Sequence, residues 1–210
     1  MRLKLLIIVS LCFFCEAKAQ LTGLFEGSIG GQGSESVWDI AFALGHTFED
    51  NRTFLYGGLK LQEISLSGKS HLKDSSPETK EYMPIPLFVG ARYNFPIKNY
   101  DPEKHSIEVL GIYPEVRLYW TPRLPFKYSY KDLSGELQTV KSEKMSQLAY
   151  GLGFGFYFGS KDGCTLSLKF EYSSIDMMES LRMLKKDGFF SDYGKSSQFM
   201  ITLSFYLRNL

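Results

Sequence analysis

Residues 148–158 read LAYGLGFGFYF. Large side chains fill the even positions, Leu148, Tyr150, Leu152, Phe154, Phe156 and Phe158. Ala149, Gly151, Gly153 and Gly155 fill most of the odd ones, with Tyr157 ending the row. A period of two sends alternate side chains to opposite faces of a strand, so this segment has one bulky apolar face and one nearly bare face. The glycines are not spaced to cradle a phosphate. A G-x-G-x-x-G loop counted from Gly151 needs glycine where Phe156 stands, and counted from Gly153 it needs glycine where Phe158 stands. No helix signal follows either.

The same alternation recurs along the chain. Residues 164–173 set Leu166, Leu168, Phe170 and Tyr172 against Thr165, Ser167, Lys169 and Glu171. Residues 197–210 set Phe199, Ile201, Leu203, Phe205 and Leu207 against Gln198, Thr202, Ser204, Tyr206 and Arg208. Residues 83–95 set Leu87, Val89 and Tyr93 against Phe88, Gly90, Arg92 and Asn94. Residues 53–63 set Leu55, Leu59 and Leu61 against Tyr56, Gly58, Lys60 and Gln62. Residues 36–45 set Trp38, Ile40, Phe42 and Leu44 against Asp39, Ala41 and Ala43, and residues 21–30 set Leu21, Phe25 and Ile29 against Thr22, Glu26 and Ser28. Residues 106–120, SIEVLGIYPEVRLYW, change parity: Ile107 and Val109 fall on one count, Val116, Leu118 and Trp120 on the other. A bulge at Pro114 is expected to restore a single apolar face and to accommodate the missing N–H.

These runs make eight strands. The connectors after the second, fourth and sixth (HTFEDNR, PIKNYDPEKH, GSKDG) are short and polar, whereas those at roughly 65–81, 121–147 and 173–195 are long. GQGSES, between the first two strands, is short but belongs with the long set by position. Alternating short turns and long loops are the organisation of an outer-membrane barrel, and an even strand count returns the C-terminus to the periplasmic side. Within the third long loop, FKYSYKDLSGELQTVKSE reads as a hairpin about Ser134–Gly135. As extra membrane strands it would make ten, but its polar sequence disfavours that.

The N-terminus has the form of an export signal. Arg2 and Lys4 precede an apolar run from Leu5 to Phe14, and Ala17-Lys18-Ala19 is a small-x-small cleavage site. The run is too short for a spanning helix of about 20 residues. Cleavage is expected between Ala19 and Gln20, leaving 20–210 as one barrel domain in the outer membrane of a Gram-negative bacterium. Phe14 before Cys15 and Leu11 before Cys12 disfavour lipoprotein processing. Cleavage leaves Cys164 as the single thiol, so no internal disulfide can form. Lys and Arg number 24 against 23 for Asp and Glu, a balance that gives no basic surface for nucleic acid.

The polar faces separate a membrane barrel from a soluble sandwich or a lipocalin-like carrier. They hold Glu26, Asp39, Lys60, Arg92, Glu115, Arg117, Lys169, Glu171 and Arg208 amid Gly, Ala, Ser and Thr. Small residues suit the interior of a narrow barrel, and buried charges of nearly balanced sign persist if paired. These nine residues are expected to form a lumen ion-pair network. Trp38, Trp120, Tyr93, Tyr150 and Tyr172 lie near strand ends, where interfacial aromatics belong.

Runs such as PIPLFVGARYNF and QFMITLSFYL resemble the small outer-membrane β-barrel families: the OmpA transmembrane domain, OmpX and the porin-like outer-membrane barrel domains of Bacteroidota. The resemblance covers nearly all of 20–210 and is one of pattern. It implies an all-β, eight-stranded antiparallel up-and-down barrel embedded in outer-membrane lipid and lipopolysaccharide and inserted by the barrel-assembly machinery. Many such barrels end on an aromatic residue read by that machinery. This chain ends FYLRNL, so Phe205, Tyr206 and Leu207 would have to serve.

Catalysis is the competing reading. Lipid A deacylases of this shape carry His and Ser on the last strand; here that strand has Ser197 and Ser204 but no histidine. Ser70, His71 and Asp74 form the one loop set that resembles a palmitoyltransferase constellation. His46 and His105 are expected in opposite periplasmic turns, and no metal-ligand spacing is present. Asn51 heads a sequon that chance accounts for. Ile175, Met178, Leu181 and Leu184 lie near helical spacing, which predicts a short amphipathic helix over the barrel mouth or a surface for an extracellular or envelope partner. The expected protein is therefore a non-enzymatic barrel without a cofactor, closed to solutes, acting through its external loops.

Overall fold

The computed structural model describes residues 20–33, 35–48, 52–65, 85–101, 107–124, 127–131, 136–141, 145–160, 163–177, 179 and 195–208. The predicted signal segment, Ala19 included, lies outside them.

Among the described residues there are eleven strands: β1 (Gln20–Gln32), β2 (Glu35–Thr47), β3 (Thr53–Ser65), β4 (Leu87–Tyr93), β5 (Phe95–Asn99), β6 (Val109–Leu124), β7 (Lys127–Lys131), β8 (Leu137–Lys141), β9 (Met145–Gly159), β10 (Cys164–Ser173) and β11 (Gln198–Arg208). Nine of them make one antiparallel sheet in the order β4-β3-β2-β1-β11-β10-β9-β6-β5, and pairing of β4 with β6 closes it. β4 and β5 are two parts of one wall strand, interrupted at Asn94, so the barrel has eight staves. Closure matters because an open edge would leave backbone N–H and C=O groups without partners in hydrocarbon.

The alternation read in the sequence sorts the side chains by face. Phe25, Ile29, Phe42, Leu44, Val89, Leu118, Leu152, Phe170, Ile201 and Leu203 point outward and are exposed. Glu26, Asp39, Lys60, Glu115, Arg117, Lys169 and Glu171 point inward and are buried. This is inverted relative to a water-soluble domain, whose apolar face would be the covered one.

Three expectations are corrected. The parity change in residues 106–120 needs no bulge at Pro114. The β6–β9 register runs unbroken from Val109↔Gly159 to Thr121↔Gln147. Val109 and Tyr113 face inward with Arg117, while Leu110, Ile112 and Pro114 are on the outward count. Val109 and Tyr113 fit inside because this end of the lumen is lined by rings, forming a cluster with Tyr157. The irregularity lies one strand over. Pairing to β6 stops at Arg92↔Glu115, resumes at Phe95↔Ile112 and shifts between Pro96 and Lys98, so Tyr113 and Pro114 face the gap. Pro114 is thereby accommodated without a bulge in its own strand.

The GQGSES connector is largely strand. β1 reaches Gln32 and β2 starts at Glu35 in register with it, Gly33 turning the chain at a φ of 62°. His46 belongs to β2 instead of to a turn, whereas His105 and Asn51 lie outside the described residues.

β7 and β8 pair with each other alone, Lys127↔Lys141 through Lys131↔Leu137, so the loop hairpin adds nothing to the wall and the stave count stays at eight.

Candidate functional site: the filled lumen

The interior is layered along the barrel axis. The middle layer is ionic. Lys169, entirely buried on β10, places Nζ 2.6 Å from Glu115 Oε1, 2.7 Å from Glu171 Oε2 and 3.2 Å from Glu26 Oε1. Arg117 on β6 reaches across the bore to Glu26 on β1 with two parallel hydrogen bonds, Nη1 to Oε2 at 2.6 Å and Nη2 to Oε1 at 2.7 Å. Such fork-to-fork pairing is the strong form of an arginine–carboxylate contact. Arg117 Nε also donates to the Tyr56 hydroxyl at 2.9 Å and stands 2.8 Å from Glu115 Oε1. Lys60 on β3 lies 3.1 Å from Asp39 Oδ2 and 3.8 Å from Glu171 Oε1. That Asp39 contact is an ion pair without hydrogen-bond alignment, since neither Asp39 oxygen has a hydrogen-bond partner. Ser204 donates to Glu26 at 3.0 Å, and Tyr119 donates to Glu171. A carboxylate buried in this way is tolerable only with several donors around it.

Toward the end where β1 begins and β11 finishes, the lumen is aromatic. Phe54 stacks on Tyr56 with centroids 4.7 Å apart and meets the edge of Tyr206 at 5.7 Å. Arg92 sits here. Its guanidinium carbon is 3.4 Å from the Tyr113 ring centroid, 4.3 Å from that of Tyr206 and 5.3 Å from that of Tyr157. Its Nε donates to Asn94 Oδ1 at 2.6 Å. Ring faces, an amide and the Tyr206 hydroxyl hold it, and Glu115 is the carboxylate that acts on it. Arg208 pairs with Thr22 through the backbone, and its side chain lies outside the described residues.

At the opposite end, amides and aliphatic groups close the mouth. Gln62 Nε2 donates to Gln198 Oε1 at 2.8 Å, and Gln198 Nε2 donates to Gln32 Oε1 at 3.2 Å. Ile175 and Met177 are buried with Val37 and Ile64 in the main apolar cluster. Ile175 of the predicted amphipathic helix is thus part of the mouth, while Met178, Leu181 and Leu184 lie outside the described residues.

The inward-facing glycines serve as seats for rings. A Cβ on Gly155 would stand 2.5 Å from Tyr113 Cζ, one on Gly111 2.5 Å from Tyr157 Cζ, and one on Gly90 2.5 Å from Tyr56 Cζ. In each case the tyrosine is the glycine's direct cross-strand partner. A ring laid over a bare glycine replaces packing that the glycine lacks. Sequence reasoning missed the tyrosines and glutamines as members of the network. The available signal was parity, since Tyr56, Tyr113, Tyr119, Gln32 and Gln198 share the inward count with the charges.

Outside, Trp38, Trp120 and Tyr150 lie near the mouth-side ends of their strands. Tyr172 joins Tyr150 at 6.3 Å and Phe199 at 5.2 Å. Tyr93 meets Phe95 at 4.7 Å toward the other end. Aromatic side chains at both ends of an apolar band mark the two interfaces of a bilayer. Among the described residues no helix is long and apolar enough to cross a membrane, and no group of His, Cys, Asp and Glu could hold a metal ion. Ser70, His71 and Asp74 lie outside them.

A closed eight-stave wall, apolar outside and ionic within, defines a membrane β-barrel. The chain is similar to Neisserial surface protein A, at 11% identity over 90% of this chain and 96% of that one, with a TM-score of 0.49. It is also similar to the N-terminal β-barrel domain of Pseudomonas aeruginosa OprF, at 9% identity over 91% and 99%, with a TM-score of 0.45. A third likeness is to a major outer membrane protein from Thermus thermophilus, at 10% identity over 90% and 99%, with a TM-score of 0.46. No family model matches the sequence, and no curated protein matches it.

Proposed function

We propose that the chain is a non-enzymatic barrel of a Gram-negative outer membrane, closed to ions, whose task is structural or is carried by its external loops. The observation that carries this reading is the ionic layer. Arg117 spans the bore to Glu26, and Lys169 joins carboxylates on β1 and β6, each two staves away, so a permeating ion would have to break several buried pairs at once. An eight-stave barrel leaves an interior that side chains fill.

The wall supports outer-membrane lipid as its surroundings. Ile29, Trp38, Phe154, Phe170 and Phe199 stand exposed on the outer faces of five staves and make that surface apolar. For the assembly machinery, Phe205 and Leu207 point outward on β11 while Tyr206 is buried in the lumen. The outward pair is therefore the part of FYL available as an insertion signal. The external loops, where an extracellular or envelope partner would bind, lie largely outside the described residues.

Planar-bilayer recording tests the closed bore. The expected record is a flat baseline, and a steady large conductance overturns the reading. Mass spectrometry of lipid A from cells with and without the protein tests the absence of catalysis; identical acylation is expected, and a lost or added acyl chain would make the protein a lipid A enzyme.

A further inference from the structure

The chain leaving β10 folds back into the barrel mouth. Ile175 and Met177 are 1% and 4% exposed. Gln32, at the end of β1, is the hub that ties this segment down. Its Nε2 donates to Asp176 Oδ1 and to the Ser196 carbonyl, both at 3.1 Å. Its Oε1 accepts from the Met177 N–H at 3.3 Å and from Gln198 Nε2 at 3.2 Å. A second amide, Gln147 on β9, accepts from the Asp176 N–H at 3.2 Å. Val37 lies one inward position below Glu35, the register partner of Gln32, and Asp39 with its ion partner Lys60 comes next below.

The two closures differ in kind. The ionic layer spans the bore with side chains anchored on rigid staves, and opening it would strand buried charges. The mouth is closed by a connecting segment held through amide hydrogen bonds and two apolar side chains. Amide bonds exchange for bonds to water at small net cost. Ser174 still belongs to the wall, its N–H donating to the Tyr150 carbonyl at 2.8 Å and its hydroxyl accepting from the Tyr150 N–H at 2.9 Å. Beyond it the N–H groups of Asp176 and Met177 are held by side-chain amides, and segments held in this way open at lower free energy than sheet does.

We infer that residues 175–177 are a detachable stopper, latched by Gln32, that controls solute access from the external side to the upper lumen as far as Asp39 and Lys60. This rests on the closed-bore reading, in which the ionic layer below blocks further passage.

The test uses the full chain with Cys12→Ser, Cys15→Ser, Cys164→Ser and Val37→Cys, so that position 37 holds its one thiol, folded into phosphatidylcholine vesicles and exposed to a charged, membrane-impermeant methanethiosulfonate. The thiol at position 37 is expected to react slowly. Adding Gln32→Ala, which removes the hub, is expected to raise the rate about tenfold, the effect of losing roughly one net hydrogen bond's worth of closure. Heat-modifiable gel migration checks that each barrel is folded, and Gln147→Ala, which removes the other amide that holds the segment, replaces Gln32→Ala should the latter fail to fold. Equal rates with and without the latch overturn the inference. If both are fast the segment does not seal, and if both are slow the latch is not what holds it. Conductance of the same preparations separates the two ideas. A steady current through the unaltered protein overturns the closed bore while leaving the labelling result standing. A flat baseline with unchanged labelling overturns the stopper alone.

Discussion

At Gly155 an added Cβ would stand 2.5 Å from Tyr113 Cζ and 2.6 Å from the Leu168 carbonyl oxygen. Backbone cannot yield as a flexible side chain can, so Gly155→Leu should prevent formation of a heat-modifiable barrel. Phe154, the preceding residue, points to lipid, and Phe154→Leu should cost less than about 1.5 kcal/mol, as conservative apolar exchanges do. Urea unfolding of the two variants measures this, and equal effects would mean the faces are reversed. Gly153 is a milder case. Its added Cβ meets Lys169 Cδ at 3.0 Å and Glu115 Cβ at 3.4 Å, so Gly153→Leu should impair folding by displacing the lysine from the network. Lys169 itself neutralises Glu26, Glu115 and Glu171 together. Lys169→Met should therefore destabilise by about 3–5 kcal/mol, because removing one partner leaves buried charge uncompensated. Restored stability on adding Glu115→Gln, in a double-mutant cycle, would show that the cost is stranded charge and not lost packing.

Among the elements, β6 shows why face assignment by hydropathy alone can slip. Val109 and Tyr113 are apolar or aromatic and yet belong inside, since the lumen near them is lined by rings. Reading Val109 as an outward residue forced a bulge that the unbroken β6–β9 ladder does not contain. Pro114 marked a real irregularity, but the irregularity sits in the neighbouring stave at Asn94 and Pro96. No pattern within residues 106–120 could reveal it, because it depends on which strand lies alongside. β5 runs past the start of β3 with a shifted register, a proline and Lys98, devices that make a protruding edge a poor template for another strand. Among the described residues the β7–β8 hairpin pairs with no other strand. Replacing residues 127–141 with a short Gly-Ser linker should leave gel migration and the urea midpoint unchanged. A shifted midpoint would show that the hairpin supports the wall.

For the molecule as a whole, the ion pairs are enclosed, with Lys60, Lys169, Glu26 and Asp39 at 1% exposure or less. Mobile salt screens exposed pairs and reaches buried ones poorly. The folded barrel should therefore keep the same urea midpoint between about 0.1 and 1 M sodium chloride, and a fall of more than a few tenths molar would place the charges in a wet, accessible bore. The sequence by itself favoured eight staves over ten and determined the inward and outward faces of nearly every strand; of the charges that stand inside it named Glu26, Asp39, Lys60, Arg92, Glu115, Arg117, Lys169 and Glu171 but not Glu35, Glu63 or Asp176. Each of these follows from a period-two pattern that is local to a strand. Only the tertiary structure decided which charges meet. Arg117 and Glu26 are 91 positions apart and Lys169 and Glu26 143 apart, and their contact depends on how the staves are staggered around the axis. The same holds for the tyrosines that find glycine seats across a ladder, for Arg92 seated among the rings of Tyr113, Tyr157 and Tyr206, and for the segment after β10 that turns into the mouth. Alternation specifies the face on which a side chain stands; the partner opposite exists only once the sheet has closed.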